Sequence, residues 1–139
     1  MSYYKCEHFK IHELVPEELM KMPEEYLWQL FDEGLLIAID RLREALGKPI
    51  TINNWKSGGQ FKWRGYRTNS CTIGASKSPH KLGKGLDFDV KGMSAEQVRQ
   101  YIKSHEKMFP EIRRMEKNVN WVHIDSIPHK HVGIYLFNP

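Results

Sequence analysis

The sequence predicts an α+β fold, in which a small antiparallel sheet has helices packed on one side. Helical periodicity comes first along the chain, a cluster of strand patterns follows, and the two do not alternate as they do in parallel α/β proteins. The chain has 139 residues, of which 40% are hydrophobic, and this is enough apolar mass for one core. We therefore expect a single domain over residues 1–139.

The longest predicted element is a helix from about Pro23 to Leu46. Proline is tolerated in a first turn, and Glu24 and Glu25 oppose the positive end of the helix dipole. Apolar residues recur at steps of three and four, which predicts one stripe facing a core. Gly47 and Pro49 then end the helix. The stripe consists of Leu27, Phe31, Leu35, Ala38, Leu42 and Leu46.

The other predicted elements are shorter. Ser94 and Gln97 form a capping box that opens a second helix. In one strand Asp87 and Asp89 alternate with apolar residues, so both acidic side chains lie on the face opposite the core. The predicted strands cover residues 49–53, 86–90, 112–116, 121–125 and 132–137. A short helical segment is predicted before the long helix, over residues 16–21, and the second helix after it covers residues 94–104.

Residues 56–84 carry no periodicity and are rich in Gly, Ser, Lys, Asn and Thr, so they form a predicted loop of about 29 residues. A loop that long inside a compact domain is usually functional. Polar strand faces flank it: Asp87 and Asp89 on one strand, and His123 and Asp125 on another. If these strands are neighbours, the two faces converge near the loop, which carries His80.

Two imidazoles and one carboxylate suffice for a zinc site that keeps a fourth position for water. Taken one at a time, such histidines and acidic residues are usually only solvent-exposed.

The composition argues against two classes of protein, membrane-spanning and secreted. No run of 18 apolar residues and no leader-like N-terminus occurs, so we expect no membrane span and no signal peptide, with synthesis in the cytoplasm. Cys6 and Cys71 have no metal or redox spacing and are predicted free thiols.

The segment from Ser78 to Asp87 resembles the S-x-H-x-x-G-x-A-x-D signature of the zinc D-alanyl-D-alanine peptidases and their hedgehog-like relatives. Residues 121–125, which read Trp-Val-His-Ile-Asp, resemble the W-x-H element of the same family, especially of its short phage-type and peptidase-A-like members. Residues 58–61 and 64–67 resemble the segment that precedes the metal loop there. The resemblance covers roughly residues 50–137.

The resemblance implies that His80, Asp87 and His123 are ligands of Zn²⁺. It also implies that Ser78 binds substrate or the loop backbone, and that Arg67 holds a carboxylate or polarises a carbonyl oxygen. For Arg67 an ordinary surface ion pair is the plain alternative. Trp121 is a candidate for stacking on a sugar or peptide of the substrate, although a half-buried strand Trp is at least as common.

The general base is harder to predict. Many relatives place an acidic residue three positions before the second histidine, whereas this chain has Asn120, which cannot accept and return a proton. Asp125 is the first substitute, because it shares a strand face with His123, and its alternative role is to orient that ligand. Glu116 is the second candidate, with an ion pair to Arg113 or Arg114 as its alternative, and His129 and His131 come third.

The implied function is a zinc-dependent cell-wall peptidase, either a D-Ala-D-Ala carboxypeptidase or an endolysin-type endopeptidase of phage origin. Peptidoglycan peptides are the expected partners, and we expect a monomer. A zinc-containing module that binds wall peptides or a protein without hydrolysis is the first alternative, because of Asn120. The second is single-stranded nucleic-acid binding by interleaved aromatic and basic loop residues, which leaves the His and Asp spacing unexplained, so no nucleic acid is expected. The net charge of +4 agrees with polyanionic surroundings.

Overall fold

The computed structural model describes residues 2–73 and 78–139, and within them it has a five-stranded sheet and three α-helices. The predicted α+β class is confirmed. The strands follow the order β1-β2-β4-β3-β5 across the sheet. They are β1 (Ile50–Thr51), β2 (Gly85–Val90), β3 (Arg114–Glu116), β4 (Val122–Asp125) and β5 (Tyr135–Phe137), and the helices are α1 (Glu24–Trp28), α2 (Glu33–Leu46) and α3 (Ala95–Ser104).

The sheet is mixed, because one of its strand pairs is parallel. β1 pairs with β2, β2 with β4 and β3 with β4 in antiparallel fashion, whereas β3 and β5 are parallel. After β4 the chain reverses over residues 126–134 and passes to the outer side of β3, so β5 runs in the direction of β3. The predicted antiparallel arrangement therefore holds for β2, which carries Asp87 and Asp89, and for β4, which carries His123 and Asp125. It does not hold for the last strand, β5, which is parallel to β3.

The prediction of one long helix over residues 23–46 is wrong in one respect. The segment forms two helices, α1 and α2, with a break between Trp28 and Glu33. A turn that contains Gly83 packs into this break. The backbone N–H of Asp32 donates to the carbonyl oxygen of Gly83 at 2.8 Å. Gly83 has a φ of +69°, and an added Cβ would overlap the carbonyl oxygen of Leu30. A tertiary contact that periodicity does not encode thus interrupts the helix.

Local signals account for most of the remaining elements. In the capping box of α3, the hydroxyl of Ser94 accepts from the N–H of Gln97 at 3.1 Å, and the side chain of Gln97 accepts from the N–H of Ser94 at 2.9 Å. The helical piece predicted over residues 16–21 is a 3₁₀ turn, Glu17–Leu19. Two more such turns are Trp55–Ser57, where the long loop begins, and Pro79–Leu82, near its end.

One face of the sheet forms the core together with α2 and α3. Leu86 and Phe88 of β2 and Ile124 of β4 are fully buried, and they belong to one apolar cluster with the inward side chains of both helices. Each such side chain stabilises the fold by about 1.5–3 kcal/mol. In the part of the chain that the structure describes, no helix has the length and apolar character needed to cross a membrane. The opposite face of the sheet carries polar side chains and forms the floor of the site.

Candidate metal centre

Three neighbouring strands place chemically active side chains on the polar face of the sheet. Asp87 of β2 lies opposite His123 of β4, and Gly85 lies opposite Asp125. Arg114 of β3 lies opposite Asp125 on the other side of β4. Since side chains alternate along a strand, those of Asp87, His123, Asp125 and Arg114 lie on the face opposite the core. The two polar strand faces predicted from the sequence are therefore adjacent.

His80 reaches this face from the turn Pro79–Leu82. Ser78 precedes the turn, and its hydroxyl accepts a hydrogen bond from the N–H of His80 at 3.3 Å. Pro79 suits the first position because it has no N–H to satisfy. Gly83 ends the turn in the left-handed conformation, with φ +69°. Ser78 thus contacts the backbone of the turn at His80.

The structure brings together the three predicted ligand residues. Nε2 of His80 lies 3.2 Å from Oδ2 of Asp87, and Nδ1 of His123 lies 2.8 Å from Oδ1 of Asp87. All three side chains are buried, and one ligand atom from each lies within 4.8 Å of the others. Within the described residues this His80–Asp87–His123 cluster has the composition and spacing to hold a metal ion.

Hydrogen bonds on the far side of each ring orient the two imidazoles. Nδ1 of His80 lies 3.0 Å from the carbonyl oxygen of Gly65, and Nε2 of His123 lies 2.7 Å from Oδ2 of Asp125. A carbonyl oxygen and an ionised carboxylate only accept hydrogen bonds, so these ring nitrogens carry protons. The other nitrogen of each ring faces Asp87. Gly65 is required at its position, since a Cβ there would overlap the carbonyl oxygen of Leu14.

Electrostatics within the cluster favour a bound cation. Burial by itself lowers the pKa of His123, but hydrogen bonds from the ring to Asp125 and Asp87 outweigh it and raise that pKa to about 9. Burial raises the pKa of Asp87 and of Asp125, but their bonds to His123 and to other cationic partners dominate and hold both pKa values below their usual range. Two buried carboxylates thus compete for one positive charge on His123.

Asp125 is fully buried, and both of its oxygens are occupied. Two nitrogens of Arg114 donate hydrogen bonds to it, Nε to Oδ1 at 2.9 Å and Nη2 to Oδ2 at 2.9 Å. The N–H of Ile127 donates to Oδ1 at 3.1 Å, and His123 donates to Oδ2. Arg114 was not predicted to be part of the site. The predicted hairpin over residues 112–125 was the signal that could have found it, since its second strand carries Asp125.

Arg67 contacts Asp87 and also ties the long loop to the metal strand. Its Nη2 lies 3.4 Å from Oδ2 of Asp87, its Nε donates to the carbonyl oxygen of Trp63 at 2.7 Å, and its Nη1 donates to that of Ile73 at 3.4 Å. Only 11% of its side chain is exposed. Its guanidinium is therefore largely engaged within the protein.

The aromatic and basic residues of the loop pack mainly against one another and against acidic groups. Arg64 pairs with Asp89 at 2.9 Å and lies over the ring of Phe61, 3.9 Å from its centroid. Lys62 lies 5.0 Å from the ring centroid of Trp63. Asp89 is thereby outside the metal cluster. The interleaved aromatic and basic residues named here therefore contact one another within the protein.

A pocket of about 220 Å³ opens beside the cluster. Glu116 of β3 is half-buried at its wall and has no hydrogen-bond or ion-pair partner among the described residues, so the ion pair with Arg113 or Arg114 considered from the sequence is not formed there. The ring of Phe137 meets that of His123 edge-on, with centroids 5.7 Å apart. Besides the three cluster residues, the pocket is lined by Arg67, Ser78, Pro79, Arg114, Glu116, Trp121 and Phe137.

Three other positions considered from the sequence lie outside this pocket. Asn120 is exposed and lines a different pocket, next to Arg99 and the start of α3. Nε2 of His129 lies 2.8 Å from the carbonyl oxygen of Arg113, and its Nδ1 accepts from the N–H of His131 at 2.9 Å. His131 is exposed. Neither histidine lines the pocket beside the cluster.

Comparison with known proteins agrees with the resemblance noted in the motifs. The model of the peptidase M15 family matches residues 12–125, a range that includes all three residues of the cluster. No curated protein and no solved structure gave a significant match. Since the family match covers most of the 139 residues, the chain belongs to the peptidase M15 family.

Proposed function

We propose that the protein is a zinc-dependent peptidase that hydrolyses an amide bond in the stem or cross-link peptides of peptidoglycan, and that it acts on the cell wall. The observation that carries this proposal is the buried His80–Asp87–His123 cluster beside a pocket, in a chain of the peptidase M15 family. Two imidazole nitrogens and a carboxylate oxygen are a donor set of catalytic zinc sites, and three protein ligands leave a position for water.

Zinc in such a site acidifies a bound water and polarises the scissile carbonyl group. His80 would hold it through Nε2, Asp87 through a carboxylate oxygen and His123 through Nδ1, because these atoms face one another in the cluster. The hydrogen bonds from the far side of each ring, to Gly65 and Asp125, keep both imidazoles in the required orientation. In this proposal these bonds keep one nitrogen of each ring facing Asp87.

Glu116 serves as the general base in this proposal. A general base needs an oxygen within reach of the attacking water and free to accept its proton. Glu116 is half-buried at the pocket and without a partner in the described part of the chain. It takes the proton of the water and returns it to the leaving amine. By this assignment the neighbouring strand β3 supplies the group that many relatives carry three residues before the second histidine.

Asp125 has the positioning role that was the alternative to its being the base. Its side chain has no exposed surface, and Arg114, Ile127 and His123 engage both of its oxygens. A carboxylate in these bonds has no free oxygen with which to accept a proton from the attacking water. It instead holds the proton of His123 on Nε2, so that Nδ1 is the nitrogen that faces the metal position.

The remaining predicted site residues take supporting roles. Arg67 orients Asp87 and joins it to the loop, and Ser78 fixes the turn that carries His80. Trp121 lies half-buried at the pocket wall, where an indole ring offers an apolar surface to the peptide.

The test is mass spectrometry of fragments released from purified peptidoglycan by the zinc-loaded protein, with walls of several chemotypes and His123→Ala as the inactive control. We expect release of defined peptide fragments that stops with a chelator. Glu116→Gln is expected to lower kcat by roughly 10²–10⁴-fold with zinc content unchanged. Asp125→Asn is expected to weaken zinc binding by roughly 10–100-fold. Full activity of Glu116→Gln would eliminate it as the base.

One observation supports a second candidate, a module that binds wall peptides without cleaving them. The position where many relatives carry the base is occupied by Asn120, whose side chain lies outside the pocket. The same incubation separates the two functions. Binding of zinc and of stem peptides, with no fragments released from any wall, would favour the binding module and would reject hydrolysis.

A further inference from the structure

We infer that Arg114 binds a carboxylate of the substrate, so that the enzyme selects peptides with a free carboxylate next to the scissile amide. This inference rests on the proposed peptidase function. It assigns to Arg114 the carboxylate-binding role that the sequence resemblance implied for Arg67. The role is assigned to Arg114 because its guanidinium has free N–H donors, whereas that of Arg67 is largely engaged within the protein.

The donors of Arg114 are only partly used. A guanidinium group has five N–H donors in a planar fork. Nε and one side of Nη2 hold Asp125, at 2.9 Å from Oδ1 and 2.9 Å from Oδ2 respectively. Nη1 has no partner among the described residues. The edge formed by Nη1 and the second N–H of Nη2 is therefore available, and it has the geometry that grips a carboxylate through two parallel hydrogen bonds.

The free edge is held rigidly at the pocket. Asp125 fixes one side of the guanidinium, and the ring of Phe137 lies against its face, 4.4 Å from ring centroid to Cζ. The side chain lines the pocket and remains 23% exposed. Because the fork is already immobilised, binding a carboxylate costs little additional side-chain entropy.

Arg67, the other guanidinium in this pocket, is less available. All three of its nitrogens contact the protein, through Trp63, Ile73 and Asp87, and its side chain is 11% exposed. Arg114 and the proposed base Glu116 are separated by one residue on the same face of β3. Side chains at such positions lie about 7 Å apart. A carboxylate held by Arg114 thus places a nearby amide within reach of Glu116.

The experiment compares two preparations of the same stem peptides, one intact and one with its carboxylates converted to amides. The kinetic constants and the calorimetric Kd are measured for the zinc-loaded wild type, Arg114→Gln and Arg114→Lys. We expect the wild type to prefer intact peptides, and Arg114→Gln to lose roughly tenfold to hundredfold in kcat/KM on them alone. Arg114→Lys keeps the charge without the fork and is expected to fall between.

Arg113→Gln is the matched control, because this neighbouring arginine does not line the pocket. It should retain the preference of the wild type. If Arg114→Gln fails to fold because Asp125 is left unpaired, Arg114→Lys decides. Equal cleavage of both preparations by the wild type, or an equal loss on both in the variants, would overturn the inference. If neither preparation is cleaved, the proposed function fails, and the calorimetric preference still decides the role of Arg114.

Discussion

Two buried carboxylates, Asp40 and Asp87, differ in the kind of partner that surrounds them. Asp40 of α2 is 5% exposed and accepts from the hydroxyl of Tyr4 at 2.6 Å and from the N–H groups of Glu7 and His8 at 2.8 and 3.0 Å. Asp87 of β2 is similarly buried, at 8%, but its closest partners are nitrogens of two imidazole rings.

The difference lies in what the partners can do. Backbone N–H groups are permanent donors that cannot ligate a metal, so Asp40 fastens the N-terminal segment to α2. An imidazole nitrogen carries a lone pair when the ring is neutral, so the groups around Asp87 can exchange a shared proton for a metal ion. A buried carboxylate surrounded by amides is thus a structural tie, whereas one surrounded by imidazoles is a binding site.

The largest expected contrast comes from the same substitution at both carboxylates. Asp87→Asn removes a ligand, and we expect it to lower peptidase activity by more than about 10³-fold and to abolish tight zinc binding. Asp40→Asn weakens charge-assisted hydrogen bonds at a buried site, and we expect it to lower the free energy of unfolding by about 2–4 kcal/mol. Zinc calorimetry and urea unfolding measure the two effects.

Each variant is the control for the other. Asp40→Asn should keep the zinc affinity of the wild type at temperatures where it is folded. A large loss of zinc affinity in Asp40→Asn, or tight zinc binding by Asp87→Asn, would show that the two carboxylates do not divide binding and stability in this way.

The two regions also differ in how much the sequence reveals. The strand alternation and the motif around His80 and Asp87 pointed to residues that do meet in the fold, because both are local patterns. Asp40 lies on the predicted long helix, and nothing local shows that backbone amides from residues 7 and 8 reach it. The break in that helix was missed for the same reason, since it depends on a contact with a segment distant in sequence. The pairing of Arg114 with Asp125 was also missed, although the predicted hairpin that joins their strands could have revealed it.

The second prediction concerns the stability of the metal-free protein as the pH is raised. The pKa of His123 is raised from 6.5 to about 9 in the folded state, so its contribution is fully present below pH 6.5 and is lost as the pH rises through 9. We expect a loss on the order of 3 kcal/mol across this window in the presence of a chelator. Urea unfolding at stepped pH measures it.

The same titration in two variants sharpens the comparison. Asp40→Asn should retain the part of the loss that belongs to His123, because Asp40 does not contribute to the pKa of that ring. Above this window the variant should differ, because Asp40 helps to raise the pKa values of Tyr4 and Cys6. Asp87→Asn should show a smaller loss, because one of the two carboxylates that raise the pKa of His123 is gone. An unchanged slope in Asp87→Asn would show that Asp125 alone sets that pKa.

The third prediction concerns the attachment of the metal turn to the helical layer. Gly83 and Gly92 both have positive φ, +69° and +82°, but a Cβ at Gly83 would overlap the carbonyl oxygen of Leu30, whereas nothing lies near one at Gly92. We expect Gly92→Ala to cost about 1–2 kcal/mol for the backbone conformation alone, and Gly83→Ala to cost about 2–4 kcal/mol. Only Gly83→Ala should also weaken zinc binding. Equal effects of the two substitutions would mean that the turn does not depend on its packing against the helix break.

The smallest effects distinguish a side-chain donor from a backbone donor at Asp40. Tyr4→Phe removes the hydroxyl that donates to this carboxylate, and we expect it to lower the free energy of unfolding by about 1–2 kcal/mol. His8→Gln keeps the backbone N–H that bonds Asp40 and loses only a surface pair with Glu44, so its effect should stay below about 0.5 kcal/mol. Urea unfolding at neutral pH compares the two, and a larger effect for His8→Gln would contradict the view that the N-terminal segment is held through its backbone. Both variants should bind zinc as the wild type does, because this carboxylate and the metal cluster share no residue.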